Sequence, residues 1–164
     1  MTVESNQANA ERDLLRHMLA TLAYRGGKAL RGVPEHFAEY RACESVRTPG
    51  QILAHIADLL DWALSQVKGK EIWHDSPSLP WSDGATRFFA ALQALDSYIG
   101  SDAPLARNVP QLFQGAIADA FTHVGQINIL RRLAGCPVRA ENYSRAEIVI
   151  GRVTDEQAAP TREF

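Results

Sequence analysis

The stretch from Gln111 to Ala134, QLFQGAIADAFTHVGQINILRRLA, contains no proline and carries apolar residues at helical spacing. At about 1.5 Å per residue it predicts a helix about 36 Å long, enough to cross a small domain. Steps of three and four residues along it give Leu112, Ala116, Asp119, His123, Ile127, Leu130 and Ala134. This is a core-facing stripe at helical period, interrupted at its centre by an acid and an imidazole. Placing a carboxylate and a histidine among aliphatics is costly unless something pairs with them. Asp119 and His123 stand at i and i+4, so both side chains point to one place beside the helix. A metal ion is the object that this arrangement suggests.

The rest of the chain is consistent with a small helical domain. With 164 residues, 46% of them hydrophobic, one domain over 1–164 is expected. A net charge of −2 and a pI near 6.2 show no basic excess, so neither nucleic acid nor an anionic membrane is expected as a partner. No apolar run approaches the roughly 20 residues of a membrane span. The first residues, MTVESNQANAERD, lack the basic and apolar regions of a signal peptide, which predicts a cytoplasmic location. Cys43 and Cys136 are then expected to be free thiols.

Residues 1–9 read as a frayed tail. Ala10–Leu30 follows with Leu14, Leu15, Met18, Leu19 and Leu22 as an amphipathic pattern that Gly26-Gly27 should end or loosen. His17 lies off that stripe and reads as a surface residue. The segment PEHFAEYRACESVRT leaves room for one or two helical turns. Thr48-Pro49 is a strong start signal, an N-cap followed by proline where its missing N–H costs nothing. The helix it opens carries Ile52, Ile56, Leu59, Leu60, Ala63 and Val67, with His55 at the edge of the stripe, and Gly69 should end it. The connection KGKEIWHDSPSLPWSDG is long for a bundle and suggests a functional or lid-like loop. Ser82-Asp83-Gly84 offers a cap for a third helix with Phe88, Ala91, Leu92, Leu95 and Ile99. Gly135-Cys136-Pro137 stops the fourth helix. Beyond it, 138–164 reads as an irregular extension, with a brief helix over Ser144–Gly151, weak strand alternation over Glu147–Val153, and an extended end. Four long helices with these connections predict an all-α four-helix bundle over about 10–137.

Bundles build metal sites from side chains on facing helices. His55 on the second helix and Asp119 and His123 on the fourth meet that description. Two imidazoles and a carboxylate suit zinc, nickel, iron or manganese, with positions left for water or substrate. The competing reading is that each is a polar core residue satisfied by its neighbours. Asp119-Ala-Phe-Thr-His123 is not the zinc-protease pattern, because no glutamate follows its first position. Asp58 and Asp61 are either acceptors for an imidazole N–H of His55 or solvent-facing side chains. Trp62, Trp73 and Trp81 are candidates for pocket walls or for packing, and Arg131-Arg132 fits compensation of a helix dipole. No serine or cysteine nucleophile motif and no glycine-rich phosphate loop is present, so no catalytic side chain is assigned.

The string from His123 to Pro137, with its His-x-Gly-Gln-Ile opening, resembles the end of the last helix in the DinB and YfiT-like superfamily. Thr48-Pro49-Gly50-Gln51-Ile52-Leu53-Ala54-His55 similarly resembles the second helix of that family, whose histidine is its first metal ligand. The resemblance implies a four-helix bundle, often a homodimer, holding one divalent ion through three histidines. Carried over by position, His55 is the first ligand and His123 the third, while the second falls on Asp119. Two histidines and an aspartate thus replace three histidines. Some members of the family are thiol S-transferases or isomerases that use low-molecular-weight thiols, and others are described as metal-dependent hydrolases. The leading reading is therefore a metal-dependent enzyme acting on a small molecule, with zinc or nickel as the leading ions and iron or manganese behind them. The alternative is a non-catalytic stress or binding bundle with a structural or vestigial metal site.

Overall fold

The structure, a computed structural model, describes residues 3–164. It is an all-helical bundle of four rods. They are α1 (Val3–Leu30), α2 (Pro49–Val67), α3 (Trp81–Ile99) and a last rod made of α4 (Val109–Leu112), a π-helical turn (Phe113–Ile117) and α5 (Ala118–Leu133). Two 3₁₀ turns, Glu35–Glu39 and Tyr143–Arg145, complete the helical elements. Each rod packs on two neighbours, in the cyclic order α1, α3, α2, α5. The core between them includes Leu19, Leu22, Ile56, Leu60, Phe88, Leu92, Leu95 and Ile127, all buried.

The start of α2 is built as its sequence suggests. Gln51 N–H donates to Thr48 Oγ1 at 3.3 Å and Thr48 N–H donates to Gln51 Oε1 at 2.9 Å, a reciprocal capping box. Gly69 and Gly135 follow α2 and α5 with φ of +76° and +77°, a conformation that suits glycine at a helix end.

Side-chain contacts fix the direction of each rod. Gly84 lies against Leu53, Arg87 reaches Asp58, and Lys68 lies over the Tyr98 ring, so α2 and α3 run parallel. Arg16 pairs with Asp96 while Gly26 meets Phe88, so α1 runs opposite to α3. The connection between α2 and α3 is therefore long for a geometric reason. It must return the full length of α2, about 28 Å at 1.5 Å per residue, before α3 can begin. On the way it is tied to α2: Ile72 N–H donates to Ser65 Oγ, and Ser76 donates to Asp58 through both its N–H and its hydroxyl.

Several local expectations give way to long-range contacts. The tail expected over 1–9 is helical from Val3, with residues 1–2 outside the described residues. Gly26-Gly27 does not end α1. A Cβ on Gly26 would stand 2.6 Å from the Phe88 ring, and one on Gly27 3.2 Å from Phe89, so the pair lets α1 and α3 approach closely. Helix α3 starts at Trp81 rather than after a Ser82 cap, because Glu35 Oε2 accepts from Trp81 N–H at 3.0 Å. The extension after Pro137 has no helix over Ser144–Gly151 and no strand over Glu147–Val153. It holds only the Tyr143–Arg145 turn and one bridge between Glu141 and Glu163. Its end folds back on α1, where Lys28 Nζ lies 2.7 Å from both Glu141 and Glu163. Among the described residues no helix is long and apolar enough to cross a membrane.

Candidate metal centre

Helix α2 runs antiparallel to the last rod, Trp62 near Gly115 and Ile52 beside Leu130, so the second turn of α2 lies against the middle of that rod, where α5 begins. His55, Asp119 and His123 meet there, each offering one ligand atom, all within 4.8 Å of one another. His123 Nε2 lies 3.5 Å from Asp119 Oδ1, and His55 Nε2 lies 3.9 Å from Asp119 Oδ2. The imidazole rings stand edge to face with centroids 4.7 Å apart. Zinc bonds of about 2.0–2.1 Å in a tetrahedral sphere place donors about 3.3 Å apart. The two distances to Asp119, 3.5 and 3.9 Å, stand near that value, and the full set of donors spreads to no more than 4.8 Å, so the side chains would have to draw inward to close on an ion. The grouping is compatible with a metal site.

The surroundings orient the donors. Gln126 Oε1 lies 2.9 Å from His123 Nδ1. With that oxygen as acceptor, Nδ1 carries the proton and Nε2 presents its lone pair toward Asp119, the arrangement metal-bound histidines use. Burial pushes the His55 imidazole below the ordinary histidine value, and His123 and Arg47 push the same way against Asp119 and Asp58. Neutral His55 is the form that can ligate. Among the described residues His55 makes no hydrogen bond; its ring packs edge-on to Trp73, centroids 5.6 Å apart, and Trp73 in turn meets Trp62.

Asp119 departs from its expected burial. The buried face of the last rod runs through Ala116, Ile117, Ala120, Val124 and Ile127, and Asp119 lies at its margin with its side chain 48% exposed. A carboxylate is cheaper at that margin than in the stripe. His123 is buried, so the three donors form a cluster with one wet side. The π turn ends two residues before Asp119, and single π turns often occur beside functional sites.

Asp58 is buried rather than solvent-facing, and it is no partner for His55. Its carboxylate accepts from Arg87 and from Ser76, while Asp61 accepts from Arg87 at 3.0 Å. Burial alone would raise the Asp58 pKa, but Arg87 and the Ser76 donors hold it below the usual carboxylate range. Trp81 packs in the core, donating from Nε1 to Leu30 O. Arg131 does more than compensate its own helix. It is buried and donates to the carbonyls of Lys28, Ala29, Arg31 and Cys136, closing the end of α1. His17 and Cys43 are exposed and Cys136 half-buried, both thiols free.

Two clefts flank the cluster. A polar one of about 380 Å³ is lined by Gln51, His55, Asp75 and Ser76, and an apolar groove of about 500 Å³ ends at His123. Arg47 lines both. Sequence reasoning offered Trp73 only as a pocket wall or packing residue, and it missed Gln126 and Arg47 as residues of this site. Gln126 was accessible from its i+3 spacing to His123; Trp73 and Arg47 reach the site through loops and leave no periodic signal. No family model, curated protein or solved structure matches the chain.

Proposed function

We propose that this protein is a metal-dependent enzyme of the DinB-like kind, with one divalent ion, zinc or nickel, held by His55, Asp119 and His123. The observation that carries the reading is the convergence of two imidazole Nε2 atoms and a carboxylate from two helices, with Asp119 open to solvent. Three protein donors with an accessible side correspond to a catalytic site, whereas structural sites are closed by protein atoms. An ion held there supplies Lewis acidity, acidifying a water or thiol placed against it.

The chain's own residues do the rest. Gln126 fixes the tautomer and the ring orientation of His123. Trp73 covers one edge of His55, limiting water on that side. Asp119 brings a negative charge where a third histidine would be neutral, which weakens the acidification. Activity in the hydrolase or thiol S-transferase class should accordingly rise toward alkaline pH. A homodimer is part of the same family reading and should sediment at about twice the chain mass of 18.1 kDa.

Elemental analysis of protein purified without a histidine tag tests the centre. His55→Ala and His123→Ala should each lose most of the metal while helical content stays near wild type, and full retention in both would sink the assignment. Asp119→Ala should weaken metal affinity about tenfold or more. Asp119→His should still bind metal and shift any pH optimum downward.

A further inference from the structure

The apolar groove beside the cluster has a composition that restricts what can occupy it. Its walls are Ala42, Val46 and Ile52 on one side and Ile129 and Leu133 on the other. Ile129 and Leu133 are 56% and 60% exposed, a large share for aliphatic side chains on a rod whose other face is core. At one end lies His123, with its Nε2 toward Asp119. Beside that end stands Arg47, exposed and without a hydrogen bond or ion pair among the described residues. Four arginines of the bundle are engaged by contrast, Arg12 on carbonyls, Arg16 on Asp96, Arg87 on Asp58 and Arg131 on the end of α1, whereas Arg47 is a free one among the described residues that borders both the groove and the cluster.

We infer that the groove binds a small amphipathic carboxylate, its apolar body between Val46 and Leu133 and its carboxylate on Arg47. The inference rests on the metal reading only for the role of this molecule as substrate; the binding chemistry belongs to the groove itself. Three features select this ligand class. The walls reward removal of apolar surface from water. A guanidinium receives a carboxylate through two parallel N–H···O bonds in a geometry that an ammonium cannot match. Arg47 has no carboxylate partner of its own among the described residues, so its charge is left for an incoming anion at this end of the groove. A ligand so held would place the atoms next to its carboxylate beside the His55–Asp119–His123 cluster. Arg47 is thereby assigned as the residue that selects charge, and the groove as the element that selects an aliphatic or aromatic body.

Octanoate and its neutral counterpart octanamide are suitable probes, titrated calorimetrically into metal-free and zinc-loaded protein. Octanoate should bind about tenfold tighter than octanamide, and Arg47→Gln should erase that preference while leaving octanamide affinity unchanged. Ile129→Asn and Leu133→Asn, both at exposed positions, should weaken the two probes alike. The Arg47 dependence should persist without zinc. Equal affinities for the two probes in the wild type, or a preference that survives Arg47→Gln, would overturn the inference. So would octanoate binding that requires zinc and ignores Arg47, since the carboxylate would then sit on the ion. A dimer that Leu133→Glu dissociates, together with no octanoate binding, would give the groove to a second copy of the chain. Zinc content measured on the same samples separates the two readings: protein that takes up no zinc yet keeps the Arg47-dependent preference refutes the metal centre and leaves the ligand class standing.

Discussion

Helix α5 carries a polar cluster on each of two sides, and the two are built on opposite principles. Toward α1, Arg131 donates to four carbonyls. Next to it Glu141 accepts from Tyr24 Oη at 2.6 Å and from Lys28 at 2.7 Å. Those buried charges have partners. Toward α2, His55 makes no hydrogen bond among the described residues, and the oxygens of Asp119 stand 3.5 and 3.9 Å from the two imidazoles. Matched polar groups make buried charge tolerable and tie elements together. Convergent donors that do not bond to one another contribute little to folding and are available to a ligand. The difference separates residues that hold the bundle from residues left open to a ligand.

The largest effect should come from Arg131→Met. It strands the carbonyls at the end of α1 and should cost about 3 kcal/mol or more in urea unfolding, with zinc uptake unchanged. Loss of zinc binding at retained stability would erase the distinction between the two sides. Glu141→Gln removes the charge that Lys28 and Tyr24 share and should cost about 2 kcal/mol, again without altering the metal. His55→Ala should lower the stability of metal-free protein by no more than about 1 kcal/mol while abolishing most metal binding. A destabilisation as large as that of Arg131→Met would make His55 a structural residue.

The smallest effect is in pH. A histidine whose folded pKa lies below its unfolded value binds more protons when unfolded across the interval between the two. Its contribution is thus present above the ordinary histidine value of about 6.5 and is lost as the pH falls through the lower folded value of His55. Asp58 and Glu163 are both held below the usual carboxylate range, Asp58 by Arg87 and Ser76 against burial, Glu163 chiefly by Lys28. Their contributions are present above that range and disappear only at more acidic pH. Stability of the metal-free protein measured against pH should therefore fall in two stages, and His55→Gln should remove the first alone. An unchanged first stage in that variant would show that another group controls it.

Signals carried by neighbours in sequence were legible. Thr48-Pro49, the glycines at 69 and 135, and the four-residue spacing of Asp119 and His123 all act within one or two turns, and the structure places them accordingly. What the sequence hid depends on partners far along the chain. Gly26 looks like a helix breaker until Phe88 occupies the space of its missing Cβ. Asp58 looks solvent-facing until Arg87 and Ser76 enclose it. The cap of α3 is a glutamate 46 residues away. The length of the α2–α3 connection was visible, but its cause, a parallel pair of rods, was not.

The π turn in the last rod has a consequence for how this site tolerates change in chain length. Such a turn accommodates one residue more than an α-turn would, so Phe113–Ile117 works as a register joint between two seatings. Val109 and Leu112 before it and Ala120 and Val124 after it are all buried. Without the extra residue, one set would rotate by about 100° relative to the other. Deleting one residue from this turn should therefore unseat Val109 and Leu112 from the core while leaving Asp119 and His123 one helical turn apart. A length change at the foot of the rod should accordingly show itself in the seating of Val109 and Leu112 before it alters the spacing of Asp119 and His123.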